Sequence, residues 1–364
     1  MPYPTHITAM RLLILSLVLF IAGCELDPKM LSLTKEAAPE TDNTVAELSL
    51  AVSNRAVDLP WLLAQDENRL DFSANHRVRL RIEQDDYRVN LNRFMAREID
   101  AISINSVDAI AQIVRQDIEA DVILIAAYSN GNEAILVPNT ATHSLNGKRI
   151  ALTPHSSRHY LLERYLVRRQ IDFDSVEILD VPENNITDVF GTEQAYAVVT
   201  ENPNLSRLLQ QGQAVALFDS RQIPNEIVDL IVVHREVLID NPGFSQALLA
   251  IWFPTMERLQ GTRRASTLEA MARIANMSRE EFDRQIATIS FSMTPAAALS
   301  AIRRDRIIRK TMRHIRYFVE RNDLMGEEEF TNWVSYPGRT PALLHFNADP
   351  LQHYIAPVRK HQGT

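Results

Sequence analysis

Segments with strand patterns alternate with segments with helix patterns over residues 48–127 of the chain. Residues 78–82 alternate strictly between apolar and charged side chains, which predicts a half-buried strand. Residues 122–127 are apolar throughout, a pattern typical of strands that lie buried in a parallel sheet. This alternation predicts an α/β fold, because helices that connect parallel strands cover the faces of the sheet.

The same patterns continue beyond Gly131. Strands are predicted at residues 48–52, 78–82, 100–104, 122–127, 133–137, 149–152, 176–179, 195–199 and 229–233. Helices are predicted at residues 58–64, 87–97, 107–115 and 158–170, and the chain becomes mostly helical after residue 233, as at 267–275, 279–289 and 302–322. About 340 residues exceed one typical domain, so we expect two lobes.

The N-terminal segment ends at Cys24, the only cysteine of the chain. Arg11 precedes a short run of apolar or small residues at 12–21, and Ala22 and Gly23 follow it. The run is too short for a stable membrane-spanning helix, which needs about 20 residues. It is similar to a bacterial lipoprotein signal that is removed on export, with either Met1 or Met10 as its start.

We therefore expect Cys24 to carry lipid and residues 25–43, which are polar and hold two prolines, to form a flexible tether. The alternative is a short hydrophobic helix that ends at an incidental cysteine. A single cysteine leaves no intramolecular disulfide to support the fold.

Composition excludes some classes of function. The hydrophobic content of 46% and the charged content of 23% are ordinary for a globular protein. The net charge of −8 argues against a nucleic-acid surface. It leaves room for an anionic small ligand, because a few local donors can outweigh the net field.

Motifs of common enzyme classes are absent from the sequence, including Gly-x-Ser-x-Gly, Walker-type and His-Glu-x-x-His runs. His155 and His159 are spaced to share a helix face, but no third metal ligand can be named, so we favour a helix-terminal pair and predict no metal site and no cofactor. Asp85 and Asp86 precede a predicted helix, where a capping role is favoured over acid–base catalysis.

Polar clusters lie at the ends of predicted strands and the starts of predicted helices. In open α/β sheets, ligands bind beyond the carboxyl ends of the strands, and helix starts attract anions. Each cluster can also be a simple cap or turn. The candidate ligand-binding residues are Ser53, Asn54, Arg55, Asn105, Ser106, Ser129, Ser156, Ser157, Arg158, Thr200 and Glu201.

Four segments, in order and at compatible spacing, resemble one family. Residues 129–137 (SNGNEAILV), 145–151 (LNGKRIA), 156–162 (SSRHYLL) and 219–229 (DSRQIPNEIVD) resemble motifs of the substrate-binding proteins of ABC importers. The branch is the one that handles nitrate, taurine, alkanesulfonates and thiamine pyrimidine precursors. The likeness runs from about residue 48 to residue 325 and leaves the tail uncovered.

This resemblance implies a type II periplasmic binding protein fold, with two α/β lobes, a ligand cleft and two hinge crossovers near residues 128–131 and 220–226. It places lobe 1 at residues 44–129 plus 226–325, lobe 2 at 130–225 and a C-terminal tail at 326–364. It also implies a monomer that is no enzyme, faces the periplasm from a lipid anchor, and works with an ABC permease and its ATPase.

Departures from the family's pattern concern the cleft. Arg55 stands where many members have a tryptophan, Glu201 replaces a second aromatic residue, and Tyr196 falls where aspartate is common. We therefore hypothesise a small organic ligand with a carboxylate or sulfonate near Arg55, since arginine binds planar anions in a bidentate manner, and an amine or amide near Glu201. The alternative is an Arg55–Glu201 pair that stabilises closure without touching ligand.

Two rival functions stay open. One is an envelope sensor or interaction lipoprotein that keeps the binding fold. The other, which we favour less, is an enzyme similar to a pyrimidine synthase that consumes its own histidine. Glu25 after the lipidated cysteine favours transfer to the outer membrane over retention beside a permease.

Overall fold

The computed structural model describes residues 44–139, 144–324 and 333–356. The predicted signal, Cys24 and the tether at residues 25–43 lie outside the described residues, as do parts of the predicted tail. In the described part of the chain, no helix combines the length and the apolar character that crossing a membrane requires.

The described elements follow the predicted α/β order. The strands are β1 (Ala46–Val52), β2 (Asp71–Phe72), β3 (Val78–Gln84), β4 (Ala101–Asn105), β5 (Ala120–Ser129), β6 (Glu133–Pro138), β7 (Arg149–Leu152), β8 (Glu177–Asp180), β9 (Ala197–Glu201), β10 (Ala214–Asp219), β11 (Val228–His234), β12 (Ile289–Phe291), β13 (Val334–Ser335) and β14 (Leu344–Phe346).

The helices connect and cover these strands. They are α1 (Leu59–Asp66), α2 (Ser73–His76), α3 (Tyr87–Met95), α4 (Ser106–Asp108), α5 (Ser157–Arg169), α6 (Ile186–Val189), α7 (Asn204–Gln210), α8 (Arg235–Asp240), α9 (Gly243–Gln260), α10 (Arg264–Ile274), α11 (Arg279–Ile286), α12 (Pro295–Arg303), α13 (Asp305–Arg321) and α14 (Asp349–Ile355). Short 3₁₀ turns lie at Phe173–Ser175, Glu183–Asn185 and Ser220–Gln222.

The described strands form two sheets. The larger has the order β13-β14-β5-β11-β4-β1-β3-β2, with β12 also paired to β5, and the smaller has the order β10-β6-β9-β7-β8. The chain leaves the larger sheet after β5 and returns to it at β11, so residues 130–132 and 220–227 connect the two sheets. These two connections lie where the sequence predicts the crossovers.

The direction of pairing around β5 differs from the sequence expectation. Its apolar run is buried as expected, but β5 pairs antiparallel with β11 and β12 and parallel only with β14. An apolar run shows that both faces of a strand are covered, and the direction of the neighbouring strands depends on segments far away in the sequence.

Two helix predictions also change in detail. The predicted helix at 107–115 is a short α4 followed by a π-helical turn at Ala109–Val114. The predicted helix at 302–322 is divided at Arg304 into the end of α12 and α13. The sequence does not predict the strands at Asp71–Phe72, at Ala214–Asp219 and after residue 288, because they are short or lack clear alternation.

The helix caps show which polar residues serve the backbone alone. The carboxylate of Asp86 accepts a hydrogen bond from the backbone N–H of Arg88 at 2.9 Å, so the capping interpretation of this acidic pair is confirmed. Ser156 occupies the N-cap position of α5, but its hydroxyl donates to the carbonyl of Thr153 at 2.6 Å. Asp58 likewise precedes α1 without capping it through its side chain.

Candidate functional site

Polar residues of both sheets converge beyond the strand ends. From the larger sheet come the segment after β1, the end of β4 and the first residues of β11. From the smaller sheet come the end of β9 and the start of β6, together with the first turn of α5. This is the position in which an open α/β architecture places its ligand.

Arg55 follows β1 and is held by the larger sheet. Its Nη1 lies 2.7 Å from Oδ1 of Asp229, and its Nε lies 3.3 Å from Oδ2 of Asp58. The guanidinium also lies 4.9 Å from the centre of the Tyr87 ring. Burial disfavours the charge, but the carboxylates of Asp58 and Asp229 outweigh it and raise the pKa of Arg55 well above its usual value.

Asp58 owes its position to hydroxyl groups. The Ser53 hydroxyl donates to Oδ2 of Asp58 at 2.8 Å, and the Ser103 hydroxyl donates to its other oxygen. Because these bonds use both oxygens of the carboxylate, Asp58 is fixed as a partner of Arg55 and is not available to cap α1.

A second group of contacts links Tyr87 to the end of β4. The Tyr87 hydroxyl donates to Oδ2 of Asp108 at 2.8 Å and accepts from the backbone N–H of Asn105 at 3.2 Å. The Asn105 side-chain oxygen accepts from the N–H groups of Val107 and Asp108, both at 3.0 Å. Asn105 therefore acts as the N-cap of α4. Its side-chain N–H group also donates to the carboxylate of Asp108 and so orients it.

Arg158 is the corresponding arginine of the smaller sheet. It lies in the first turn of α5 and is only 7% exposed. Its Nη1 donates to Oε1 of Glu201 at 2.9 Å, and its Nε lies 3.7 Å from Oε2 of Glu183. Burial disfavours its charge, but Glu201, Glu183 and Asp108 raise its pKa. Asp108 follows β4 of the larger sheet, so its charge acts on Arg158 from the other lobe. We therefore treat the charged residues of the two lobes as one cluster.

Carboxylates outnumber arginines in this cluster. We define the cleft cluster as the buried or half-buried residues Arg55, Asp58, Asp108, Glu133, Arg158, Glu183, Glu201 and Asp229. Burial raises the pKa of Asp229 to about 6, although Arg55 opposes the shift. The excess of acidic groups makes the cluster a poor host for a purely anionic ligand.

Glu133 is the carboxylate at which this excess of negative charge is most evident. Antiparallel pairing of β6 with β9 places Glu133 opposite Glu201, and like charges in directly opposed positions repel each other. Burial, together with the charge of Glu201, raises the pKa of Glu133 to about 7. The Ser129 hydroxyl donates to Glu133, which partly offsets these effects.

The crossovers meet beside Glu133. The hydroxyl oxygens of Ser129 and Ser220 lie 2.7 Å apart, and the Ser220 hydroxyl accepts from the backbone N–H of Gly131 at 2.8 Å. Gly131 has a φ of +102°, a conformation that favours glycine. Ser129, a predicted ligand residue at the end of β5, thus links the start of the first crossover to Ser220 of the second crossover.

The predicted site residues fall into groups. Arg55, Arg158 and Glu201 belong to the cleft cluster, and Ser53 and Asn105 hold its members in place. The Thr200 hydroxyl donates to Glu183, and the Ser106 hydroxyl donates to the backbone carbonyl of Glu226 at 3.4 Å. Asn54 is exposed, Ser157 is buried in the first turn of α5, and Ser156 bonds locally. The ligand-binding role of all these residues stays a prediction.

The sequence does not single out the other residues of the site. Asp58 and Tyr87 are the first residues of predicted helices, and Asp229 is the first residue of a predicted strand. Glu183 follows β8 and carried no signal. Position in the sequence is the one usable signal, because Asp108 follows the predicted strand at 100–104 and Asp229 begins the predicted strand at 229–233.

Arg55 and Glu201 do not form the ion pair that was the alternative prediction, because each pairs with another residue. The Arg55 guanidinium pairs with Asp58 and Asp229, and Glu201 pairs with Arg158. His155 and His159 lie side by side at the start of α5, with ring centroids 5.9 Å apart. Within the described ranges, no three His, Cys, Asp or Glu residues are grouped as metal ligands would be.

Comparisons with known proteins give the family. The NMT1-like family matches residues 78–276, which is more than half of the chain. A search of curated proteins finds no match. Among solved structures, the alkanesulfonate-binding protein SsuA of Xanthomonas axonopodis pv. citri, bound to MOPS, is 18% identical with a TM-score of 0.62, covering 78% of this chain and 96% of its own.

Two further structures are similar. The periplasmic aliphatic sulphonate binding protein SsuA of Escherichia coli is 18% identical with a TM-score of 0.60, over 77% of this chain and 88% of its own. A putative sulfonate ABC transporter protein of Methylobacillus flagellatus KT is 13% identical with a TM-score of 0.62, over 85% of this chain and 94% of its own. At this identity the likeness shows the fold, and the predicted resemblance to substrate-binding proteins is confirmed at that level.

The chain therefore belongs to the NMT1-like family and has the periplasmic binding protein fold, with two α/β lobes, a cleft between them and two crossovers.

Proposed function

We propose that this protein is the lipid-anchored solute-binding subunit of an ABC importer, facing the periplasm and capturing a small polar or anionic organic solute. The observation that carries the proposal is the cleft cluster, which joins buried charged residues of both lobes. A ligand that contacts both lobes stabilises the closed state, so closure follows from differential binding and needs no catalytic step.

Within this class, the charges favour a solute that carries both an anionic and a cationic group. Arg55 and Arg158 offer donors for a sulfonate or carboxylate. The surplus of carboxylates, notably Glu133, which pairs with none of the described arginines, favours an ammonium or amidinium group. A zwitterionic nitrogen compound satisfies both, whereas a simple anion leaves the surplus carboxylates uncompensated.

The first experiment identifies the cargo. Native mass spectrometry of protein purified without refolding measures the mass of any solute retained in the closed cleft. Isothermal titration then compares taurine, ethanesulfonate and ethylamine. They share a two-carbon body and carry, respectively, both charged groups, the sulfonate alone and the ammonium alone. We expect taurine to bind at least tenfold more tightly than either singly charged compound. Equal affinity for ethanesulfonate would contradict the zwitterion.

Variants test the residues. We expect Arg55→Ala and Glu201→Gln each to weaken binding of the identified solute at least tenfold, because each removes a charge from the cleft cluster. Arg79→Ala is the matched control, since Arg79 is an exposed arginine of β3 outside the cleft. Unchanged affinity in both cleft variants, with folding verified by circular dichroism, would refute the proposed contacts.

A second candidate, an envelope sensor or interaction protein, is favoured by one observation. Both cleft arginines already pair with carboxylates of the chain itself, which is an arrangement that closes a cleft without a ligand. Under this candidate, no solute is retained in native mass spectra, and a partner other than a permease recognises the closed protein. Crosslinking in the envelope distinguishes the two by the identity of the captured protein.

A further inference from the structure

A cavity of about 180 Å³, which we call the rear cavity, lies between the larger sheet and helices α12 and α13. Its floor is formed by β5 and β11, through Ile125 and Val228, and helices α12 and α13 cover it with Ala301 and Met312. Phe291 closes one side. The cleft cluster contributes none of its lining residues.

The size and the walls of this cavity suit one small ring. The lining is mainly aliphatic and aromatic, as in small-molecule sites that use few polar groups to orient a ligand. An apolar cavity of about 150 Å³ in another protein stays dry and binds benzene. A space of about 180 Å³ therefore holds a ring with one small substituent.

Two polar residues of the lining, Arg304 and Tyr128, lie near enough for the charge of one to act on the other. Arg304 is exposed, and it forms no ion pair with the side chains that the structure describes. The Tyr128 hydroxyl has no hydrogen-bond partner among the described residues. The charge of Arg304 acts on Tyr128, since it lowers a pKa that burial otherwise raises.

We propose that this rear cavity binds a small carboxylic acid with an apolar body of about one ring. The ring lies among Ile125, Val228 and Phe291, and the carboxylate accepts hydrogen bonds from Arg304 and the Tyr128 hydroxyl. An anion is favoured over a neutral or cationic ligand because Arg304 is the charged residue of the lining and has no counter-charge among the described side chains.

The location gives such a ligand access to both crossovers. Tyr128 lies near the end of β5, two residues before the first crossover, and Asn225 and Val228 belong to the second crossover and the strand after it. Thr311 of α13 donates to the carbonyl of Asn225 at 2.8 Å, which fixes the covering helix to the second crossover. A ligand in the rear cavity therefore contacts the segments that move when the lobes open.

The test uses fluorine NMR of the full protein with 4-fluorobenzoate, 4-fluorobenzyl alcohol and 4-fluorobenzylamine. These probes share the ring and differ in charge. We expect the carboxylate to bind at least tenfold more tightly than the alcohol, and the amine to show no binding. If the amine or the alcohol binds as tightly as the carboxylate, the assigned role of Arg304 is wrong.

Variants locate the probe. Arg304→Gln is expected to weaken 4-fluorobenzoate at least fivefold, while Arg303→Gln, which changes the adjacent exposed arginine outside the cavity lining, leaves its affinity unchanged. Ala301→Phe fills the cavity and is expected to abolish binding. Both arginines are exposed, so their variants keep the fold. Equal loss in both arginine variants, loss on Arg55→Ala, or no binding to the wild-type protein would overturn the proposal.

Discussion

At the scale of single residues, the cleft is governed by buried acids whose charges are only partly compensated. Asp229 accepts from Arg55, and Glu201 accepts from Arg158, whereas Glu133 has only polar hydrogen-bond donors. A buried carboxylate without a cation keeps its proton to higher pH. Glu133 is therefore the residue at which changes of pH act most directly on the site.

Ionisation of Glu133 should lower the stability of the folded protein as the pH rises. The folded protein holds the Glu133 proton up to a pKa of about 7, whereas the unfolded chain releases it near 4.5. Between these values the folded state binds the Glu133 proton more tightly, so the contribution of Glu133 to the free energy of unfolding decreases with rising pH, by on the order of 3 kcal/mol, and is constant above them.

Glu133→Gln should remove this decrease, because the amide does not ionise. Urea unfolding between pH 4.5 and 8 measures it, with Glu177→Gln, an exposed glutamate of the same lobe, as the control that keeps the wild-type profile. A Glu133→Gln profile that is parallel to wild type would show that this carboxylate is not the source of the dependence.

At the scale of elements, the start of α9 is a point of close backbone approach. A Cβ built on Gly243 would lie 2.2 Å from the backbone carbonyl oxygen of His76, at the end of α2. The long helix α9 supplies Trp252, which packs against Trp61 of α1 at a ring distance of 5.4 Å. The absence of a side chain at Gly243 thus allows α9 to reach both α2 and α1.

Gly243→Ala should lower the free energy of unfolding by at least about 2 kcal/mol, since neither backbone can yield without displacing its helix. Gly261→Ala is the matched control at the other end of α9, where the nearest atom is 3.3 Å away. Urea unfolding compares the two variants. A smaller loss for Gly243→Ala than for Gly261→Ala would mean that α2 yields without cost.

At the scale of the whole molecule, Glu226 connects the second crossover to a helix of each lobe. It accepts from Nε of Arg164 and the hydroxyl of Tyr160, both on α5 and both at 2.6 Å. Nδ1 of His314, on α13, lies 3.2 Å from the same carboxylate. Burial opposes ionisation, but Arg164 and Tyr160 outweigh it and lower the pKa of Glu226.

Glu226→Gln should destabilise the protein by on the order of 3 kcal/mol at pH 7, because it leaves Arg164 without its buried partner. A lowered pKa contributes stability above the pKa of the unfolded chain, so the difference between variant and wild type should shrink as the pH falls below about 4.

Thermal unfolding from pH 3.5 to 7.5 measures both effects. Tyr160→Phe, which removes one neutral donor, should cost only about 1 kcal/mol. A Glu226→Gln penalty that is the same at every pH would assign the loss to packing and not to charge.

The sequence predicts most of the longer elements up to residue 234 because their apolar periodicity is local, but it does not predict the strand at Ala214–Asp219. It does not predict the direction of β11 beside β5, since the two paired strands are far apart in the sequence.

Contacts within the site are likewise only partly predictable from the sequence. The positions of Arg55, Arg158 and Glu201 are predicted by strand ends and helix starts. Asp229 and Glu183, which also lie against the two arginines, are recognisable as partners only once the lobes are assembled.

The pairing of β14 with β5 has a consequence for protein engineering. The resemblance predicted from the sequence ends near residue 325, and the family match ends at residue 276, so a natural choice for a shortened protein is to stop near residue 325. That truncation would remove β14 and leave unpaired N–H and C=O groups on Ala120–Val122, beside one of the most apolar strands of the protein. Exposed apolar edges recruit strands from other molecules. The C-terminal segment thus protects the protein against self-association.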